Sequence, residues 1–399
     1  MSVQPTNEQG ISRNLVLIMA VACGFAVANI YYNQPLLPLF AKSFGRSIQE
    51  ISLISSLVLA AYAAGLIVFV PLGDILERRI LILGLLGANI LASIAAALSP
   101  NFYGLLAASL LIGFTAVTAQ IIVPLASLLS MSKERGKVIG IVWSGMFGGI
   151  LLARTLSGVV GEHFGWRTMY WIAAGLDTLL ACVIFAWLPH HSPTVKMPYR
   201  RLLASLWELF RNEPILRESC TTAFLLFAAF NAYWGALAYL LAQPPYQFGS
   251  DIAGLFGLAG VAGFFASPYI GTLPDRISGR RVVALSAVLI AVAFVFIGMG
   301  QLYLWALIIG AIALDLGSRA GLVGNQTRIY ALAPEARSRL NTIFMAAYFV
   351  GGAIGTKLGV AAAAYAGWKG LGLLGCALAA VVAVAQGYAS LFQWHKRVK

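Results

Sequence analysis

Five ionisable residues occupy positions where an ionisable residue is costly. Arg154 lies inside GGILLARTLSG at 148–158, Lys357 inside GGAIGTKLGV at 351–360, Asp315 and Arg319 inside LDLGSR at 314–319, and Asp177 inside IAAGLDTLL at 172–180. A charge at bilayer depth costs at least about 2.5–3.5 kcal/mol on insertion scales, and where tolerated it faces a bundle interior or a wet cavity. At the rise of an α-helix, Arg154 lies about 18 Å from Trp166, and half a hydrocarbon core is about 15 Å, so Arg154 sits near the midplane. Lys357 bears the same relation to Trp368. Asp315 and Arg319 are four residues apart and share one helical face. Three bases against two acids leave one formal positive charge, which suits a substrate that is anionic or carries an anionic group.

Two readings of Asp315 and Arg319 stay open: a pair that locks its own helix, or a coupling site in which Asp315 takes up and releases a proton. Arg154 and Lys357 are read as substrate or gate contacts, with hydrogen bonding to backbone carbonyls of neighbouring helices as the alternative. Hydrolytic or metal chemistry finds no support. The four histidines, His163, His190, His191 and His395, lie in connecting segments or the tail, and none stands beside a cysteine or carboxylate at ligand spacing. No metal and no cofactor is expected, and a proton gradient is the expected source of energy. Cys23, Cys182, Cys220 and Cys376 show no paired spacing and read as packing residues.

The elements that hold these residues follow from composition. The chain has 399 residues, of which 60% are hydrophobic and 10% charged, against about 25% charged in soluble domains. Apolar stretches long enough to cross a bilayer recur throughout, so the chain is an all-α polytopic membrane protein. Twelve spans are expected, near 14–40, 48–71, 80–99, 102–130, 136–161, 167–188, 216–243, 251–272, 282–300, 303–331, 340–366 and 368–393. The first span is too long for a secretion signal and lacks a small-residue cleavage site. The net charge of +13 raises the question of a nucleic-acid partner, which its distribution answers. Of the 27 Lys and Arg residues, four (Lys42, Arg46, Arg167, Lys369) fall in one set of alternate loops and most of the rest in the other set and at the chain ends. That asymmetry places both termini in the cytoplasm and argues for lipid and a small molecule as partners, with no nucleic acid and a monomeric state.

An internal repeat at an offset of about 200 residues divides the chain into 1–188, a linker at 189–215, and 216–399. VPLGDILERR at 70–79 answers GTLPDRISGRR at 271–281, so that Asp74 and Asp275 correspond; Glu134 and Glu335 correspond as well. GG-ILLA-Arg154 answers GG-AIGT-Lys357, and the triplets Gly165-Trp166-Arg167 and Gly367-Trp368-Lys369 follow at nearly equal distances. Arg154 and Lys357 are therefore expected to be equivalents. The linker holds an amphipathic stretch at 199–211 with Leu202, Leu203, Leu206 and Phe210 on one face.

Twelve spans in two sixes, a longer central segment and the Asp-Arg-x-Gly-Arg-Arg type of motif between spans two and three and spans eight and nine resemble the major facilitator superfamily over essentially the whole chain. ANIYYNQPLLP at 28–38 and NQTRIYALAPEARSRLNT at 325–342 resemble its bacterial drug:proton antiporter-like efflux permeases. The resemblance implies two pseudo-symmetric six-helix bundles, alternating access, and proton-coupled efflux of a small amphipathic or anionic molecule from the bacterial inner membrane, as in multidrug resistance. A permease for uptake of an organic anion is the alternative, and a membrane receptor a third. It further implies that spans 1, 4, 7 and 10 line the cavity, where Asn29, Tyr32, Asn33, Gln34, Gln120, Asn231, Tyr233, Trp234, Tyr239, Asn325 and Gln326 stand as candidate binding residues. The third helix of each triplet, and with it Asp177, is implied to lie outside the cavity. Asp74, Arg78, Arg79, Asp275, Arg276, Arg280 and Arg281 are the implied gating set. Ala153-Arg154 stands where the antiporter motif has Gly-Pro, and Ser109 stands where span four of the family carries an arginine.

Overall fold

The computed structural model describes residues 11–131, 134–190, 197–333 and 336–398; the Glu335 correspondence lies outside them. Every regular element among these residues is a helix. Ten helices are long and apolar enough to cross a membrane. Two expected spans escape that count for physical reasons. Span eight is broken into Ser250–Leu255, a 3-10 turn at Phe256–Ala259 and Gly260–Ile277, and its glycines at 254, 257 and 260 recur with the three-residue period of that turn and weaken an α-helix. Spans eleven and twelve run together as Arg337–Val398, with non-helical geometry at Ala366 and at Gly367, whose φ is 58°. Gly165, at φ 83°, makes the equivalent joint between Arg135–Phe164 and Trp166–Trp187. Positive φ costs glycine little, so the Gly-Trp-base triplets punctuate both halves alike.

Spans one and four are broken as well, which the expected continuous helices missed. Span one consists of Arg13–Ala28 and Asn33–Phe44. Between them Tyr32 N reaches the Ala28 carbonyl at 3.2 Å, while Tyr31 O accepts from Gln34 N at 3.3 Å. Pro35 has no N–H to offer Tyr31 O and its ring crowds that carbonyl, so the helix tightens into a turn just before it. Span four consists of Phe102–Thr115 and Thr118–Leu129, with Pro124 inside the second piece. Gln34 and Gln120 each precede a proline, Pro38 and Pro124, by four residues.

The halves are packed through glycines, as expected where lipid supplies no hydrophobic drive for helix association. In the first half Gly145 and Gly149 of span five lie against span one, where a Cβ would stand 2.1 Å from Ala20 O and 2.2 Å from Gly24 O. In the second half Gly351, Gly355 and Gly359 of span eleven meet Phe224, Ala228 and Ala232 of Pro214–Leu241, span seven, with carbonyls 2.1–2.3 Å from an added Cβ. The halves meet each other along spans five and eight, where Gly158 and Gly254 touch, and along spans two and eleven, where Tyr62 packs on Phe349 at 4.4 Å.

The crossings place the first and last spans' outer ends and the linker on one side, the connector side. Helix Tyr199–Asn212 lies there with Leu202 and Leu206 buried, and Tyr199 OH donates to Val68 O at 2.9 Å. On the opposite side Trp166 Nε1 donates to Ser43 Oγ and Arg167 to Ser99 O, both at 3.0 Å within the first half, and Ser250 N donates to Glu162 at 2.8 Å across the halves.

Candidate functional site

Span five carries Arg154 to the junction of the halves because Gly158, one turn further on, lets span eight approach at Ser250 and Gly254. The residue is 4% exposed. Its Nε donates to Gln34 Oε1 at 2.9 Å, and Gln34 Nε2 donates to Asn231 Oδ1 at 3.3 Å. Spans five, one and seven are thereby tied across the junction. The guanidinium carbon lies 4.1 Å from the Trp234 ring, 4.7 Å from Tyr31 and 5.8 Å from Phe230. Among the described residues no carboxylate pairs with it, and one terminal nitrogen has no partner. Taking an ion out of water costs several kcal/mol even after relaxation. Desolvated cation–π contacts return about 2 kcal/mol or more each. The cage thus holds the cation in place and leaves one nitrogen without a hydrogen-bond partner, while Asp315, itself paired with Arg319, acts on the charge from beyond pairing distance.

Asp315 and Arg319 pair on one face of Leu304–Tyr330, span ten, as their spacing requires. Arg319 Nε donates to Asp315 Oδ2 at 2.7 Å, and its guanidinium stacks 4.2 Å from Phe147 of span five. Arg319 also lines a cavity of about 180 Å³ with Trp143, Phe147, Ile270, Leu322 and Gln326. The cavity separates span five from spans eight and ten in their connector-side halves.

Lys357 does not join this site. It is exposed between Ile354 and Leu358 on the outer face of span eleven. Gly355 and Gly359 turn the opposite face to span seven, and a residue two positions from each stands about 200° round the helix. The equivalence with Arg154 holds in sequence but fails in helical phase. Asp177 lies on span six, at its packing contact with span one. It is 1% exposed and buried against span one, where Asn29 Nδ2 donates to both carboxylate oxygens at 3.1 Å.

The remaining candidates divide. Asn29, Tyr32 and Gln34 belong to the broken turn of span one, whose Tyr32 carbonyl accepts from Ser157 Oγ at 2.7 Å. Asn33 is spent on that turn's own frame, donating to Ile30 O at 3.1 Å and accepting from Ser55. Asn231 and Trp234 are in the Arg154 cluster, while Tyr233 is fully buried beside Trp234 at 5.2 Å. Gln120 is buried in the second piece of span four, and Tyr239 is part-exposed near the far end of span seven. Asn325 accepts from Thr222 Oγ at 3.0 Å, and Gln326 donates to Asn341 at 3.3 Å, both towards the connector side.

The gating residues are used unequally. Arg78 donates to Gly73 O at 2.8 Å and to Asp74 at 3.2 Å, and Arg79 reaches His190 at 2.9 Å. Asp275, Arg276 and Arg281 are exposed. In the second half Arg280 is engaged, with a partner the sequence does not point to: Glu218 at the start of span seven holds Arg280 at 2.7 Å, Arg328 at 2.8 Å and Gln386 at 2.8 Å. Tyr31, Phe230, Phe147 and Ser157 were likewise passed over. Tyr31 had a signal, standing between Asn29 and Gln34; the others read as ordinary apolar-helix residues.

Two crossed bundles joined at spans two with eleven and five with eight bear comparison with known proteins. The family model described as Major Facilitator Superfamily matches residues 17–297 and 220–398. The chain belongs to the major facilitator superfamily. It is 37% identical over 378 residues to the "Uncharacterized transporter YgaY" of Escherichia coli O157:H7, covering 95% of both chains. It is 25% identical over 349 residues to a "Probable sugar efflux transporter" of Helicobacter pylori (strain HPAG1), covering 85% of both. A crystal structure of the peptide transporter POT in complex with alafosfalin shares the fold, with TM-score 0.74 and 13% identity over 96% of this chain and 95% of that one. This chain is a multi-pass membrane protein of a transporter superfamily whose members bind small molecules within the membrane.

Proposed function

We propose that this superfamily member works by alternating access in the bacterial inner membrane, with both termini in the cytoplasm, and exports a small amphipathic molecule bearing an anionic group in exchange for protons. The observation that carries the reading is Arg154: a buried cation at the junction of the halves, caged by three aromatic rings, with an unpartnered nitrogen and no carboxylate mate among the described residues. An anionic group would give the free nitrogen a partner and the cation a directly paired charge, and the rings would take the apolar remainder of the molecule. Export is favoured by the name of the Helicobacter pylori relative, and the connector-side cavity by Arg319 offers an approach from the cytoplasm in the proposed orientation.

Benzoate and its uncharged counterpart benzamide test the site in proteoliposomes. Charge-assisted hydrogen bonds are worth about 1.5–3 kcal/mol, so Arg154→Gln should weaken benzoate binding about ten- to a hundredfold and leave benzamide unchanged. Equal effects on both compounds would remove the anion site from the proposal.

A further inference from the structure

We propose that Asp177, rather than Asp315, carries the exchanged proton, and that its protonation loosens the turn 29–34 on which the Arg154 site is built. The inference rests on the transport reading above and names its coupling residue. Asp177 is the most deeply buried carboxylate among the described residues, and its two oxygens are fastened by one neutral amide, Asn29 Nδ2, at 3.1 Å each. Among the described residues the elements packed against it offer no counter-cation. In span three, Arg78 is held by Asp74 and Arg79 by His190 at the connector-side end. In span five, Arg154 is committed to Gln34, and Glu162 lies at the opposite end. Lys42 of span one lies at that end too, and Arg167 of Asp177's own helix is bound to Ser99 O there. Tyr32 of the broken turn is near enough to feel the carboxylate's charge. A proton arriving at Asp177 therefore removes an uncompensated charge from a low-dielectric setting. A proton arriving at Asp315 would instead strand Arg319, whose Nε it accepts from at 2.7 Å.

The turn joins the two sites. Asn29 is tied to Asp177, Tyr31 faces the Arg154 guanidinium, Tyr32 O accepts from Ser157 Oγ one turn beyond Arg154, and Gln34 receives Arg154 Nε. Pro35 deprives this turn of a helical hydrogen bond, so side-chain fastenings set its shape. When solvent delivers a proton to one Asp177 oxygen, that oxygen becomes a donor and the carboxylate charge that holds the Asn29 amide is gone. Proton and anion then exclude each other, which is the requirement for exchange.

Benzoate affinity measured by calorimetry, over a pH range in which benzoate stays ionised, is the test. In the wild type, affinity should fall about tenfold per pH unit below the midpoint, the slope of one competing proton. Asp177→Asn should bind without that slope, Asp177→Glu should keep it with a displaced midpoint, and Asp315→Asn should keep it unchanged. Asn29→Ala, which leaves the carboxylate but removes its tether, should also lose it. A wild-type slope in Asp177→Asn or Asn29→Ala, or its loss in Asp315→Asn alone, overturns the proposal, and the Glu and Ala variants decide if Asp177→Asn does not fold. Amide hydrogen exchange of residues 28–36, corrected for the intrinsic pH dependence, should rise on acidification in the wild type and stay flat in Asp177→Asn. If the wild type binds no benzoate at any pH, the anionic substrate class fails, while the exchange measurement still judges Asp177.

Discussion

At the scale of single residues, charge in an apolar run was the most legible signal in this chain, and phase was the least. Arg154, Asp315, Arg319 and Asp177 are all visible as anomalies; Arg154, Asp315 and Asp177 are buried and Arg319 is partly buried. Lys357 was equally visible and lies on the outer face, because a repeat fixes a residue's place along a helix but leaves its rotation to the packing. The consequence is testable. Lys357 has room to lay its stem along apolar surface and carry its ammonium towards an interface. Lys357→Leu should therefore leave benzoate binding within about twofold of wild type, a change below 1 kcal/mol, whereas a loss comparable to that of Arg154→Gln would return Lys357 to the site. Asp177 is visible in the sequence as a charge in an apolar run, but nothing in a single sequence shows that Asn29 reaches across to it.

At the scale of helices, length and apolarity located the crossings, and the prolines of span one stood in plain view. Their effect depends on what replaces the lost hydrogen bond, and here Tyr31 O finds Gln34 N, making a turn where a continuous helix was expected. The glycine contacts were less readable still, because a glycine in an apolar helix looks the same whether it touches a neighbour or faces open space. Gly145 and Gly148 make the contrast: a Cβ on Gly145 would stand 2.1 Å from Ala20 O, and one on Gly148 would meet nothing within 4 Å. Gly145→Val should prise span five from span one and cost about 1–3 kcal/mol as an overpacked contact. Gly148→Ala should be neutral or slightly stabilising, since it trades a weak helix former for the best one. Thermal unfolding in detergent compares the two, and equal melting temperatures would refute the packing argument.

At the scale of the whole molecule, the twofold plan read from the sequence is kept in architecture and broken in its ion pairs. Asp74 and Asp275 correspond, yet Asp74 pairs with Arg78, whereas the second half gathers Arg280, Arg328 and Gln386 on Glu218, at a position where the repeat offers Leu17 in the first half. Glu218 fastens span seven to span nine, the end of span ten and span twelve, all within one bundle. Removing its charge leaves two arginines facing each other across a partly buried site, a cost of about 3–5 kcal/mol where such a pair is fully buried and less here. Glu218→Gln should lower the melting temperature and loosen the connector side of the second half, read as faster amide exchange at 279–285 with little change at 74–82. A uniform change across both halves would show that the bundles do not move as separate bodies.

The seam at the far end of spans five and eight carries a further consequence. Gly158 and Gly254 meet there through backbone atoms, with Thr155 donating to Gly254 O at 3.1 Å and a single carboxylate contact, Glu162 to Ser250 N. Parting such a seam breaks almost no ion pairs, so the work of opening it scales with closely packed area instead of with screened charge. Opening on that side should respond to bilayer thickness and lateral pressure far more than to ionic strength, which makes the lipid around the protein, and not the salt outside it, the setting that governs how often the far gate opens.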